Sequence, residues 1–322
     1  MNTDLILLDD KLHGIGILKA DIDFEIGYAE SLNNFEMLST PLEARGLYIE
    51  GTEFGGIFEY EHGFSDEAKQ TLKGWTWRGL LTQGIIIPPS GADYYLASGD
   101  ANLIIRNLLL NFLGGFFDVP ETISGFTLNN YQFPLYCDYL TGITGMLESV
   151  GARLKITASK PSQGAAVSVT VEAVPVQQLA GSLNEDSPVQ LEYTYDGMGI
   201  NHLVCMGQGE LSQRQRVDLY TDNYGNVIRN QYYYGFNERT AYYDYASAES
   251  EQALIDDGKK RLLEICSSNL IAAHAKSDLD LEIGDRIVST YKGKMVIAPV
   301  IQKILTIQAG QIITEYKVKG EI

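Results

Sequence analysis

Apolar side chains recur at every second position in one short run after another along this chain. That period of two restricts it to a fold built mostly from half-buried β-strands. Ile22, Phe24 and Ile26 alternate with Asp23 and Glu25. Phe58 and Tyr60 alternate in GGIFEYEH, and Trp75 and Trp77 alternate in QTLKGWTWRGLL, so the two segments predict a hairpin. The C-terminal end repeats the scheme, with VIQKILTIQAG turning into QIITEYKVKG. Glycine is plentiful, 32 against 9 prolines, which suits many tight turns between short strands.

The alternation is interrupted once, and the interruption divides the chain. Residues 1–90 read as strands and close at GIIIPPSG, where Pro88 and Pro89 stop any ladder. Residues 91–186 read as helix, helix, strand, strand. Asp100 precedes the first helix as an N-cap, and CDYLTGITGMLESV at 137–150 predicts the second, ended by Gly151. The strands are ARLKITAS and AVSVTVEAV, and the polar stretch 181–188 is the exit linker. The apolar run 102–117 is broken by Arg106, Asn107 and Asn111. A helix there spans roughly 20 Å against about 30 Å of bilayer hydrocarbon, so it predicts a core helix without stable membrane insertion.

Residues 187–322 return to strands with one long helix. A hairpin passes through NYGN into VIRNQYYYGF, and Ser247 is the predicted N-cap of a helix to about Ser268. Leu254, Leu262, Leu263 and Ile265 are its predicted core positions. The last three strands are DLDLEIGDRIVST, VIAPVIQKILTIQ and QIITEYKVKG. The expected organisation is mainly β with an α+β insert. A first β-barrel-like domain spans 1–90, with strands of 187–245 available to complete it. The α+β domain spans 91–186, and a second β-barrel-like domain spans 187–322. The two end hairpins are consistent with related β-domains, and equally with the alternation that any half-buried strand shows.

Charge narrows the function. In 322 residues, 24 basic and 42 acidic side chains leave −18, which disfavours a conventional nucleic-acid binder or docking on anionic lipid. Cys137, Cys205 and Cys266 form no CxxC pair and are odd in number, so a disulfide framework is not expected and the cytosol is the expected place of synthesis. The segment MNTDLILLDDKLHG lacks the basic and long apolar regions of a signal peptide. No HExxH, GxxxxGKS/T, GxSxG or DxDxDG motif occurs, and His13, His62, His202 and His274 are scattered. No catalytic residue, cofactor or metal site is expected, although Cys205 or Cys137 could meet a histidine in space and any fold brings some carboxylates together.

Two groups of residues stand out. Asp278, Asp280 and Glu282 alternate on one face of a predicted strand, where they could recruit a cation or form a solvated face. Tyrosine supplies 20 residues, clustered in QYYYGF and AYYDY. Tyr232, Tyr233, Tyr234, Tyr242 and Tyr243 are candidate subunit-interface aromatics, since an apolar ring with a polar tip suits surfaces buried on assembly. Cross-strand pairing within one sheet and stacking on carbohydrate are the other uses of such rings.

The order of these features resembles the ReqiPepy-type siphovirus tail protein family, which is similar to the trimeric baseplate hubs of tailed phages. The matching pieces run from GYAESLNNFEM and TLKGWTWRGLLTQGIIIPP to QLEYTYDGMGINHLVCMGQG, ALIDDGKKRLLE and LEIGDRIV. The stretch 110–136 matches poorly. The resemblance implies two similar β-barrel hub domains flanking the insert and a homotrimeric ring at the virion tail tip. Such a ring joins tail tube to tip, touches other tail proteins and lets DNA pass without specific binding, after synthesis in the host cytoplasm. Asp278, Asp280 and Glu282 are then candidate channel-lining acids. The alternatives are a carbohydrate-active, wall-degrading enzyme of the tail or host, and a glycan-binding adhesion module.

Overall fold

The protein is described here by a computed structural model covering residues 4–28, 32–64, 66, 68–162, 164–180, 189–195, 198–222, 226–266, 269–275, 281–291 and 294–318. They fall into two compact units. One comprises the chain up to Gln190 with Ala273–Ser289 and Ala298–Val318; the other comprises Leu191–Ala272 and Thr290–Ile297.

The first unit is built on an eleven-stranded sheet that curls into a half-barrel. From one end its order is Gln178–Ala180, Arg286–Tyr291, Lys294–Gln308, Ile22–Gly27, Asn34–Ser39, Gln70–Thr76, Gly55–His62, Gly46–Tyr48, Leu5–Leu8 and Gly14–Leu18. Gln311–Val318 pairs with Lys294–Gln308. The alternation is realised: Ile22, Phe24 and Ile26 are buried, and Phe24 packs 5.6 Å from both Phe35 and Phe54. The predicted hairpin forms, but its second strand ends at Thr76. The Thr76 hydroxyl accepts from the Gly79 amide and starts a helical turn, Trp77–Leu80, that buries Trp77 completely. A Cβ on Gly74 would lie 2.0 Å from the Ile57 carbonyl oxygen, so only glycine lets the hairpin strands approach there.

The C-terminal hairpin also forms, yet it does not found a sheet of its own. Residues 302–307 pair antiparallel with 22–27, so the two rhyming hairpins belong to one sheet. The mainly β fold with an α+β insert is present, and the strands that extend the N-terminal sheet are Gln178–Ala180 and those of 286–318, rather than strands of 187–245.

The insert follows its sequence closely. Helices Ala101–Leu109 and Tyr139–Glu148 precede a hairpin of Ala152–Ser159 and Ser168–Pro175 in unbroken antiparallel register. One core joins the insert (Ile104, Ile143, Met146, Val169, Val171) to the sheet residues Leu8 and Tyr48 and to Trp77 of the helical turn. No helix among the described residues is long and apolar enough to cross a membrane. Asp100 caps the first helix by accepting from the Asn102 amide at 2.9 Å, and it also accepts from Ser124 and Gly125. Partial burial pushes its carboxyl up, but these hydrogen bonds outweigh it and hold Asp100 below the ordinary aspartate value. Its stabilisation is therefore complete above that ordinary value and lost as pH falls through the lowered one. Asp100→Ala should cost about 1 kcal/mol, the usual loss for an N-cap, in urea titrations at pH 7. A variant as stable as the parent at pH 7 would refute the cap.

Apart from the separate strand pair Val189–Tyr195 and Asn269–Ala275, the second unit is built on a four-stranded sheet in the order Val227–Ile228, Arg216–Thr221, His202–Met206, Thr240–Asp244. The last strand runs parallel to His202–Met206 and the others are antiparallel. Helix Glu251–Ile265 covers one face. Its cap is Ser250, whose hydroxyl accepts from the Ala253 amide, and not Ser247, because Ala248 is buried in the preceding turn. Leu254, Gly258 and Leu262 line the contact at a spacing of four, against Leu203, Cys205, Val217 and Leu219. Leu263, an expected core position, is 57% exposed because it lies one residue past that stripe.

Cys137, Cys205 and Cys266 are free thiols. Burial pushes the Cys205 thiol up to about 11. At pH 8 this thiol should resist iodoacetamide in the folded protein and react only after urea unfolding, with mass spectrometry of the alkylated peptides as the readout. Rapid labelling of the native protein would show that the helix does not seal this face.

Candidate interaction surface

The sheet face opposite the helix carries the polar half of the alternation. His202, Val204 and Met206 lie beside Arg216, Asp218 and Tyr220 on one side and Thr240, Tyr242 and Asp244 on the other. These side chains are organised into ion pairs. Arg216 makes two bonds to Asp218, at 2.8 and 2.7 Å, and Arg214 pairs with Asp244 while donating to the Tyr242 hydroxyl at 3.1 Å. Arg216, with help from His202, holds Asp218 below the ordinary aspartate value, and Arg214 does the same for Asp244.

Residues 229–239 leave the sheet after Ile228 and rejoin it at Thr240. QYYYGF was expected as a strand, but only Val227 and Ile228 pair, and Gly235–Asn237 forms a 3-10 turn. The base of this segment is anchored by Asn201, which is 4% exposed. Its side chain donates to the Asn237 carbonyl at 2.7 Å and accepts from the Arg239 amide at 2.8 Å. The consequence is an aromatic tip on a fixed base: Tyr232 and Tyr234 are exposed, and Phe236 is fully exposed. Rigid exposed aromatics above a fixed base are what protein interfaces use as anchors.

The candidate tyrosines therefore divide. Tyr232, Tyr234 and Tyr242 are exposed and Tyr233 is half-buried, its ring edge-on to Tyr232 at 5.0 Å. Tyr243 points the other way, as strand alternation requires. It donates to Asp257 on the helix, and that bond pushes its hydroxyl up to about 12.

His202 was met in the sequence only as one of four scattered histidines. It is 8% exposed, with Nδ1 at 2.7 Å from Glu238 Oε1 and Nε2 at 2.8 Å from Asp218 Oδ1. The Thr240 hydroxyl lies 3.2 Å from Nδ1. Thr240, His202 and Asp218 have the spacing of nucleophile, base and orienting acid, but Glu238 occupies the nitrogen that would accept the Thr240 proton. Cys205 faces the helix, on the other side of the sheet from His202, so the two form no nucleophile pair. Sequence offered no signal for the Asp218–His202–Glu238 group, since its members lie 16 and 36 residues from the histidine.

Of the candidate channel acids, Asp278 and Asp280 lie outside the described residues. Glu282 sits in a turn, not a strand: its amide donates to Asp285 at 2.9 Å, and the chain enters the sheet only at Arg286. Its carboxylate accepts from Lys303 at 2.8 Å, in a buried cluster with the pairs Arg78–Glu53 and Arg153–Asp285. Burial alone would lower Lys303, but Glu282 outweighs it and holds the ammonium above its ordinary value; burial pushes the Glu282 carboxyl up. Three cations meet three carboxylates in the core of the first unit, as buried charges require. Arg78, isolated in the apolar run WTWRGLL, was the legible hint of that cluster.

The architecture resembles that of a prophage tail protein. In particular, the chain is similar to the 43 kDa tail protein of prophage MuSo2 from Shewanella oneidensis, at 11% identity and a TM-score of 0.51 over 98% of each chain. It is also similar to a tail protein from Neisseria meningitidis MC58 (12% identity, TM-score 0.48, 98% of this chain and 96% of the other). A third likeness is to prophage tail protein gp18 from Listeria monocytogenes EGD-e (13% identity, TM-score 0.47, 98% and 94%). At these identities the likeness concerns the fold, and the MuSo2 protein carries it. No family model matches the sequence. No curated protein matches it.

Proposed function

We propose that this chain is a structural, non-enzymatic protein of a phage or prophage tail, forming a homotrimeric hub ring at the tail tip with other tail proteins. The observation that carries the reading is the fold shared with a prophage tail protein along 98% of both chains. The aromatic tip 232–236 and Tyr242 are the proposed copy-to-copy or copy-to-neighbour contact. A ring around passing duplex gains from an acidic wall, which repels phosphate and leaves the DNA mobile. Asp278 and Asp280 are the proposed wall acids, together with others of the acidic excess. Glu282 is neutralised by Lys303.

Light scattering on the purified chain should give three times the chain mass. Tyr234→Ser with Phe236→Ser should weaken association at least tenfold while leaving the urea midpoint unchanged at concentrations where parent and variant are both monomeric, since both side chains are exposed. A monomer at all concentrations, or a double variant that associates as the parent does, overturns the interface. Turnover of peptidoglycan at pH 6 or pH 8.5 that disappears with one Asp, Glu or Thr substitution overturns the non-enzymatic reading.

A further inference from the structure

We infer that His202 is a proton-operated latch on the aromatic segment 231–239, holding it when the imidazole is charged and releasing Glu238 when it is neutral. The inference starts from donor counting. An imidazole with a carboxylate oxygen at each nitrogen satisfies both contacts only as the imidazolium, because the neutral ring has one N–H. The two contacts belong to different elements: Asp218 is on a central strand, and Glu238 closes the 3-10 turn of the aromatic segment. The bonds at 2.7 and 2.8 Å therefore tie that segment to the sheet through a buried charged ring stacked on Tyr220, with centroids 4.3 Å apart.

The structure also decides which bond is lost with the proton. The Thr240 hydroxyl stands 3.2 Å from Nδ1 and can donate to it once that nitrogen carries a lone pair. Nε2 faces Asp218, a carboxylate fixed on both oxygens by Arg216. The neutral ring is thus satisfied by keeping N–H on Nε2 toward Asp218 and accepting from Thr240 at Nδ1. Glu238 then faces a lone pair and is repelled. The other groups facing the ring keep one form across the transition: Arg216 holds Asp218 ionised, and Tyr220 is held above its ordinary value, chiefly by burial. Asn201 still anchors the backbone at 237–239, so release loosens the tip without freeing the segment.

The consequence for assembly deepens the interface reading given above and rests on it, because a tip held still loses less entropy on binding than a loose one. The latch itself is measured in the isolated chain, so either can fail without the other. Hydrogen exchange at the amides of Asn237 and Glu238, which close the turn onto Tyr234 and Gly235, is the readout. After correction for intrinsic rates, these amides should exchange at least threefold faster at pH 8.5 than at pH 5.5, a window spanning histidine titration. His202→Gln should exchange fast at both pH values. Glu238→Gln should abolish the pH dependence, because an amide can accept from an N–H or donate to a lone pair. Protection of Cys205 from alkylation reports that the unit is folded in each variant; if His202→Gln exposes that thiol, the parent and Glu238→Gln decide. Equal protection at both pH values in the parent, or a pH dependence that survives in Glu238→Gln, overturns the latch.

Discussion

Glu53→Gln should destabilise the unit that holds the curled sheet by about 3–5 kcal/mol, the cost of leaving a buried charge without its partner. Arg78 is 1% exposed and Glu53 7%, and the guanidinium bonds both carboxylate oxygens at 2.8 Å. The amide isostere keeps the volume and one acceptor but removes the charge, so Arg78 keeps its desolvation cost and loses the attraction that offset it. The nearby carboxylates do not replace the lost one, because Glu282 pairs with Lys303 and Asp285 with Arg153. Both tryptophans, Trp75 and Trp77, belong to this unit, so tryptophan fluorescence in a urea titration follows its unfolding apart from the second unit. Adding Arg78→Met should recover more than half of the loss, since a buried pair exchanged for apolar groups is often neutral. A cost below 1 kcal/mol for Glu53→Gln would mean that Arg78 is solvated and the cluster carries little.

Gly258→Ala is expected to reverse the sign that helix propensity assigns it. On propensity alone, alanine for glycine in a helix interior stabilises by about 1 kcal/mol. Here the new Cβ would lie 2.6 Å from Cys205 Sγ and 2.9 Å from Leu219 Cδ1, both on the sheet that the helix covers. Overpacking of this kind costs roughly 1–3 kcal/mol, so the variant should be less stable or, at best, unchanged. The effect should fall on the second unit alone: Cys205 alkylation becomes faster while the tryptophan transition does not move. Cys205→Ala removes the closest atom, so combining it with Gly258→Ala should give a smaller loss than the single costs summed. A stabilised Gly258→Ala would mean that the helix stands off the sheet further than the packing indicates.

Much of the local structure was legible in the residues. The cap at Asp100 and the insert hairpin 152–175 were each written in neighbouring side chains, because caps and alternation depend on few residues. The errors were also local in kind. Ser247 and Ser250 satisfy the same capping rule, and only the burial of Ala248 separates them. Trp77 continues the strand alternation of Trp75, yet the Thr76 hydroxyl turns the chain before it. The Tyr cluster was visible as composition, but composition does not say which rings face the helix and which face solvent.

What the sequence determined by itself is that this chain is mainly β, interrupted by an α+β insert, acidic and without a catalytic motif. Half-burial leaves a period of two in a strand whatever its neighbour is, so alternation names strands without naming their partners. The tertiary structure alone decided that residues 302–307 pair with 22–27, that Glu53, Arg78, Arg153, Glu282, Asp285 and Lys303 share one buried site, and that Asp218 and Glu238 meet on His202. Those contacts join residues far apart in the chain. Their energy comes from desolvation and packing that exist only once the strands are in register, so no window of neighbouring residues carries them.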